Sequence, residues 1–151
     1  MDDFLENRLA RVRTSGQGFP LPIELRPLWR IALIVLSVNS LKDKSGYAPI
    51  NKIKIATWML NRKNLWSFYV ESLEDKASFV IALDDSDEKA INICMVKELI
   101  FLRDDKLGLT DLGVALTSTI CSENIFPDER EFLTEISKKL TNAAVSKILG
   151  D

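Results

Sequence analysis

From Pro27 to about Leu41 the chain reads Leu28, Trp29, Ile31, Leu33, Ile34, Val35, Leu36 and Val38, with Arg30 and Ser37 almost the only polar breaks. A helix that is apolar nearly all round has no face to give to water. The segment therefore predicts a buried central helix, opened by Pro27 at a first helical position and ended by Lys42-Asp43-Lys44-Ser45-Gly46. Apolar positions then recur at helical spacing from Pro49 to Leu60 (Ile50, Ile53, Ala56, then Met59 or Leu60), predicting a second helix. Asn64 is a cap for a third, with Leu65, Phe68, Tyr69 and Leu73 on one face and Trp66 on another.

Further along, Phe79-Val80-Ile81-Ala82-Leu83 is short and β-prone and stops at the acidic run Asp84-Asp85-Ser86-Asp87-Glu88. Asp85 with Glu88 three residues on resembles a capping box for a helix from about Asp87 to Leu99. Ile100–Arg103, Asp104-Asp105 and Lys106–Leu109 form a hairpin pattern of two short strands about a polar turn. Thr110 caps the next helix, whose Leu112, Leu116 and Ile120 share a face; Pro127 opens the last helical region, which Thr141-Asn142 splits. At the other end, residues 1–13 predict a short amphipathic helix with Phe4, Leu5, Leu9 and Val12 apolar and Arg8, Arg11 and Arg13 basic. Thr14–Gly18 is turn-forming and Phe19–Pro22 extended, so residues 1–19 are expected to be an arm or linker and residues 20–151 one domain.

Composition changes this picture by exclusion. The apolar fraction of 46% and charged fraction of 28% are those of a globular chain, and the longest apolar run, Ile31–Leu36, is too short to span a bilayer. The start Met1-Asp2-Asp3 is no secretory leader, which makes a cytoplasmic location the expectation. Cys94 and Cys121 sit in apolar helical patterns, where a free thiol acts as a small hydrophobe. The chain has no histidine, which removes Ser-His-Asp and Cys-His nucleophile systems and most zinc sites. Carboxylate-bound magnesium and lysine catalysis stay open in principle, but no constellation calls for either. Gly16-Gln17-Gly18 precedes Phe-Pro instead of a helix, so it is no phosphate loop. The expectation is no catalytic residue, no cofactor and no metal.

The net charge of −2 is unevenly spread: residues 1–30 carry +1, residues 31–63 carry +5 and residues 64–151 carry −8. Polyanion contact is thus expected in the first 63 residues, with Arg8, Arg11, Arg13, Lys52 and Lys54 as candidates. Arg26 precedes Pro27, where positive charge meets the unfavourable end of a helix dipole, and so calls for an acidic partner. With Arg30 and Trp29 it forms the candidate protein-binding set, although large aromatics such as Trp29, Trp58 and Trp66 ordinarily belong to the core.

The run Val96-Lys97-Glu98-Leu99-Ile100-Phe101-Leu102-Arg103-Asp104-Asp105-Lys106-Leu107-Gly108-Leu109-Thr110-Asp111-Leu112-Gly113 resembles the second half of a winged-helix domain. In that resemblance the hairpin is the wing and the small Gly113 lets the following helix approach it. The predicted class is mostly α (α+β): a winged-helix core with a small hairpin wing and additional C-terminal helices. Another α+β domain with the same helix and hairpin is the alternative. Winged helices often read DNA with the helix before the wing, which needs Arg, Lys, Asn or Gln on its exposed face. Here Lys89, Asn92 and Lys97 stand against Asp84, Asp85, Asp87, Glu88 and Glu98, and Asp104 and Asp105 offset Arg103 and Lys106. That balance favours protein docking.

The segment Pro20-Leu21-Pro22-Ile23-Glu24-Leu25-Arg26-Pro27-Leu28-Trp29-Arg30-Ile31-Ala32-Leu33-Ile34, with the later Leu-Thr-x-x-Gly, resembles the small middle component of bacterial ABC-type three-component systems, including Lamassu-type anti-phage systems. The resemblance implies a non-catalytic adaptor that docks on an SMC/Rad50-like ATPase and couples DNA sensing to an effector such as a nuclease. A stand-alone winged-helix DNA-binding regulator using the basic first 63 residues is the alternative.

Overall fold

The computed structural model describes residues 27–74, 79–81, 83 and 85–150. The predicted arm (1–19) and its amphipathic helix lie outside these residues, as do Arg8, Arg11, Arg13 and Arg26. The described chain is mostly helical with one small antiparallel sheet.

The apolar segment after Pro27 forms α1 (Pro27–Leu41), and Ile31, Leu33, Ile34, Val35, Leu36 and Val38 are all buried. Ser37, also buried, donates its hydroxyl to the Leu33 carbonyl at 2.7 Å, so a polar side chain enters the core without an unmet donor. The helix gives way to a turn organised by Asp43, whose carboxylate accepts from the Ser45 and Tyr47 amides (2.8 and 3.3 Å) and from the Ser45 hydroxyl. Those bonds, the Ser45 hydroxyl first, hold the Asp43 carboxyl below its ordinary range. Gly46 takes φ +93° here, a backbone conformation that suits glycine.

Next come β1 (Tyr47–Pro49) and α2 (Ile50–Leu60). A single 3-10 turn (Lys63–Leu65) leads into α3 (Trp66–Glu74). After α4 (Asp85–Val96) the hairpin β2 (Ile100–Arg103) and β3 (Lys106–Leu109) forms as expected, followed by α5 (Asp111–Ser122), α6 (Pro127–Ser137) and α7 (Asn142–Ile148). The sheet order is β1-β3-β2, with Tyr47 opposite Gly108 and Gly108 opposite Phe101. Its inner face carries Ala48, Ile100 and Leu107, all buried, and α1 packs against β1, β3, α2, α4, α5 and α6. The core therefore lies around α1, between the sheet and the other helices.

Several local expectations are corrected. Pro49 caps α2 as expected but is also the last residue of β1, an unexpected three-residue strand that depends on β3 for its hydrogen bonds. The described residues of Phe79–Leu83 form no strand: Ile81 is buried and donates its amide to the Ile148 carbonyl at 3.1 Å, a contact to a helix end that offers no sheet edge. The third helix starts at Trp66 after the 3-10 turn, so Asn64 is not its cap. Asp85 is the first residue of α4, one place too late to be the cap of a box with Glu88. The helix ends at Val96, three residues before Leu99. Glu98 there adopts φ 59°, with Leu99 N–H bonded to the Cys94 carbonyl and Glu98 N–H to that of Met95, the Schellman pattern.

Candidate functional site

The junction of α4, the hairpin and α5 is built on close backbone approach. The Thr110 hydroxyl accepts from the Gly113 amide at 3.0 Å, capping α5, and donates to the Glu98 and Leu99 carbonyls at 2.5 and 3.1 Å. A Cβ on Gly113 would stand 2.1 Å from the Leu99 carbonyl oxygen. A side chain at position 113 would thus push the start of α5 off the hairpin. On the outer face of the sheet, Gly108 leaves room for Phe101 to meet Tyr47 edge to face, ring centres 5.6 Å apart. Arg103 lies over the Tyr47 ring at 5.7 Å and donates to its hydroxyl at 3.0 Å, so this basic group of the hairpin is held on the sheet.

The exposed side of α4 changes character along its length. Asp85 and Glu88 stand at its start, Lys89 and Asn92 in the middle, and Ile93 and Val96 near its end, Val96 being 83% exposed. Beside that end lies a shallow apolar groove of about 530 Å³, lined by Lys97, Leu99, Leu112, Ala115, Leu116 and Thr119. The expected common face of Leu112, Leu116 and Ile120 is split: Ile120 is buried, Leu116 half-buried and Leu112 55% exposed. The buried face of α5 runs through Gly113, Thr117 and Ile120, so Leu112 and Leu116 lie on its flank and line this shelf.

A second concavity, of about 470 Å³, separates α3 from α6. Trp66 and Phe132 stack in it with ring centres 4.5 Å apart and planes 13° from parallel, and Val70 extends the apolar floor. The Trp66 indole is fixed by donation to the Met59 carbonyl at 2.9 Å. Glu71 lines the α3 side; Asp128, Glu131 and Glu135 line the α6 side; Lys63 bonds Asp128 at 2.8 Å. That pair raises the Lys63 ammonium above its ordinary value, the Asp128 hydrogen bond contributing most. Among the described residues, Glu71, Glu131 and Glu135 have no cationic partner. Four carboxylates against one ammonium give this groove a net negative lining over an aromatic floor, and the Lys63 ammonium itself lies over the Trp66 ring at 5.3 Å.

The residues singled out by sequence are not gathered into one site. Trp29 is half-buried, donating to the Asn61 side-chain oxygen at 3.3 Å and standing edge-on to Phe126 at 4.8 Å. Arg30 borders a small cavity with Leu33, Thr57, Asn61 and the buried Asp87. Lys54 is spent on Glu88 at 3.3 Å with its side chain 14% exposed. Lys52, two residues away and so on another side of α2, is half-buried, which lowers its ammonium pKa against the pull of Asp43. Cys94 is fully buried and its thiol is pushed up to about 12 by that burial, so it is protonated at neutral pH. Among the described residues no three Cys, Asp or Glu side chains stand close enough to hold a metal ion. No helix of the described residues is long and apolar enough to cross a membrane.

Sequence inspection missed both concavities because each joins distant segments. The one local signal was Asp128, Glu131 and Glu135, whose spacings of three and four put them on one face of α6. No protein-family model matches the chain, and no curated protein or solved structure is similar to it.

Proposed function

We propose that this chain is a non-enzymatic winged-helix adaptor that binds another protein through the surface formed by α4, the hairpin and the start of α5. The observation that carries the reading is the composition of α4's exposed side, with carboxylates Asp85 and Glu88 at its start and bare Ile93 and Val96 at its end beside an apolar shelf. A helix meeting DNA phosphates needs the reverse, since an exposed carboxylate such as Asp85 repels the duplex, Glu88 takes up the nearby Lys54 ammonium, and apolar side chains leave the phosphates unbonded. The winged-helix assignment is supported by the order helix, strand, helices, hairpin and by the sheet order β1-β3-β2, in which the hairpin's second strand lies at the centre.

The resemblance carried by Pro20–Ile34 and Leu109–Gly113 gives the partner: an SMC/Rad50-like ATPase in an anti-phage complex, with the adaptor linking it to a nuclease effector. In this reading the adaptor works in the cytoplasm and carries no active site or cofactor. Co-expression with the neighbouring genes tests it. The expected result is a stable complex with a long coiled-coil ATPase, weakened at least tenfold by Val96→Glu with Leu112→Glu, two exposed positions where charge leaves the fold intact. A complex that never forms defeats the adaptor reading; one indifferent to both substitutions moves the docking surface elsewhere. Tight binding of the isolated chain to duplex DNA with a steep salt dependence would put the regulator reading in its place.

A further inference from the structure

Two ion pairs frame the groove between α3 and α6 and fix how its walls lie. Just before α3, Lys63 meets Asp128 at 2.8 Å; just after α6, Lys139 meets Glu74 at 2.6 Å. Both pairs join residues 65 positions apart in sequence, and the Trp66–Phe132 stack joins residues one position further apart, so the two helices run parallel and nearly level. That alignment sets Glu71 of one wall within one residue of the level of Glu135 on the other, with Glu131 about one helical turn nearer the start of α6. Each framing rung sets a cation against a carboxylate, whereas the rung between them sets carboxylate against carboxylate. Glu131 and Glu135 also repel one another, since like charges at i and i+4 share a helix face. An arrangement that works against its own helix and its own walls calls for positive charge from outside the described residues.

The groove itself restricts the form of that charge. A bare metal ion does not fit, because among the described residues no three acidic side chains converge closely enough to hold one. Between the walls lie Trp66, Val70 and Phe132, an apolar floor that favours a cation carrying apolar surface of its own. Lys63 already displays the mode of recognition, its ammonium 5.3 Å from the Trp66 ring centre and bonded to Asp128. Arginine suits the middle rung better than lysine. Its guanidinium is planar, weakly hydrated and able to donate to two carboxylates at once, while an ammonium is a compact, strongly hydrated point charge. Glu131 and Glu135 stand about 6 Å apart along α6, the rise of four helical residues. A helix laid along the groove offers side chains at that same spacing, at i and i+4.

We infer that the α3–α6 groove receives two arginine side chains from a helical segment of a partner protein, one guanidinium set between Glu71 and Glu135 and the other meeting Glu131. The site uses α3 and α6, which the adaptor reading leaves unassigned, and it stands or falls separately from the α4–α5 surface.

The probe is an alanine-based helical peptide of about 20 residues bearing two arginines four positions apart, titrated at low salt into the full chain while backbone amides are followed by NMR. Expected are shifts of Val70, Glu71, Glu131 and Glu135 that saturate with a Kd below about 1 mM. A peptide of the same composition with its arginines two positions apart puts them on different faces and should bind roughly fivefold more weakly, and two lysines at the original spacing should also bind several-fold more weakly. Glu71→Gln with Glu135→Gln should weaken binding roughly tenfold, as two exposed charge pairs are lost, while Glu123→Gln, at an exposed position after α5, should leave it unchanged. Glu71→Lys guards against misfolding: it supplies the middle rung's cation within the chain, so it should keep or raise the thermal midpoint while abolishing peptide binding. Shifts that never saturate, either control peptide binding as tightly as the first, or a Glu71→Lys chain that binds as the parent does would each overturn the inference. So would shifts confined to other acidic residues, which mark diffuse attraction by a negatively charged chain.

Discussion

Gly113→Ala sets two opposed effects against each other at one atom. Position 113 lies in the first turn of α5, where by propensity alone replacing glycine with alanine stabilises a helix by about 1 kcal/mol. The tertiary structure reverses the sign, because the new methyl would stand 2.1 Å from the Leu99 carbonyl oxygen. Ordinary contact needs more than an ångström of further separation. The neighbour is backbone, already accepting from the Thr110 amide at 3.1 Å and the Thr110 hydroxyl at 3.1 Å, so it cannot swing aside as a side chain would. Moving α5 away strains or breaks the Thr110 cap, worth about 1 kcal/mol, in addition to an overpacking cost of about 1–3 kcal/mol. The expected net loss is about 2 kcal/mol, or roughly 4–8 °C in Tm for a chain of this size. Gly108→Ala is the control: its Cβ would meet the far end of the Phe101 ring at 2.7 Å, and an exposed ring can rotate outward, so a smaller loss is expected. Urea and thermal unfolding of both variants decide the matter. A Gly113→Ala chain as stable as the parent, or more so, would refute the claim that the α5–hairpin approach is tight.

Three further outcomes follow from single side chains. Tyr69 is 2% exposed and its hydroxyl has no hydrogen-bond partner among the described residues; Tyr69→Phe should therefore raise stability by about 1 kcal/mol, and a loss in urea unfolding would show that the hydroxyl is satisfied. Glu98→Gly should also stabilise, by roughly 0.5–1 kcal/mol, since Glu98 sits at φ 59° after α4 where glycine has no Cβ penalty; an unchanged midpoint would mean its side chain offsets the strain. Of the two thiols, Cys121 should react with a thiol reagent in the native protein and Cys94 only after unfolding. Because burial raises the Cys94 pKa from 9.0 to about 12, the folded state keeps a proton that the unfolded state releases. Its contribution is therefore complete below about pH 9 and declines as pH rises toward 12, which unfolding curves across that range will register. A Cys94 that labels as fast as Cys121 would contradict its burial.

What the amino-acid order determined by itself was whatever a few neighbouring residues can specify. The apolar run after Pro27 demanded a buried helix, Thr110 and Thr141 each supplied a capping oxygen three residues before the amide it accepts, and Asp104-Asp105 turned the hairpin. These are short-range interactions, complete within one or two turns of chain. The tertiary structure decided what depends on partners far away. Tyr47–Pro49 is a strand only because β3 lies beside it, while the described residues of the β-prone Phe79–Leu83 pair with no strand and Ile81 bonds the end of α7 instead. The requirement for glycine at 113 became quantitative only when Leu99 was brought against it. Lys54 looked like a free cation until α2 met Glu88 of α4, and the acidic groove exists because α3 and α6, some sixty residues apart, stack Trp66 on Phe132. Local chemistry chose the elements; the packing of β1, β3, α2, α4, α5 and α6 around the buried α1 chose which of their side chains would meet.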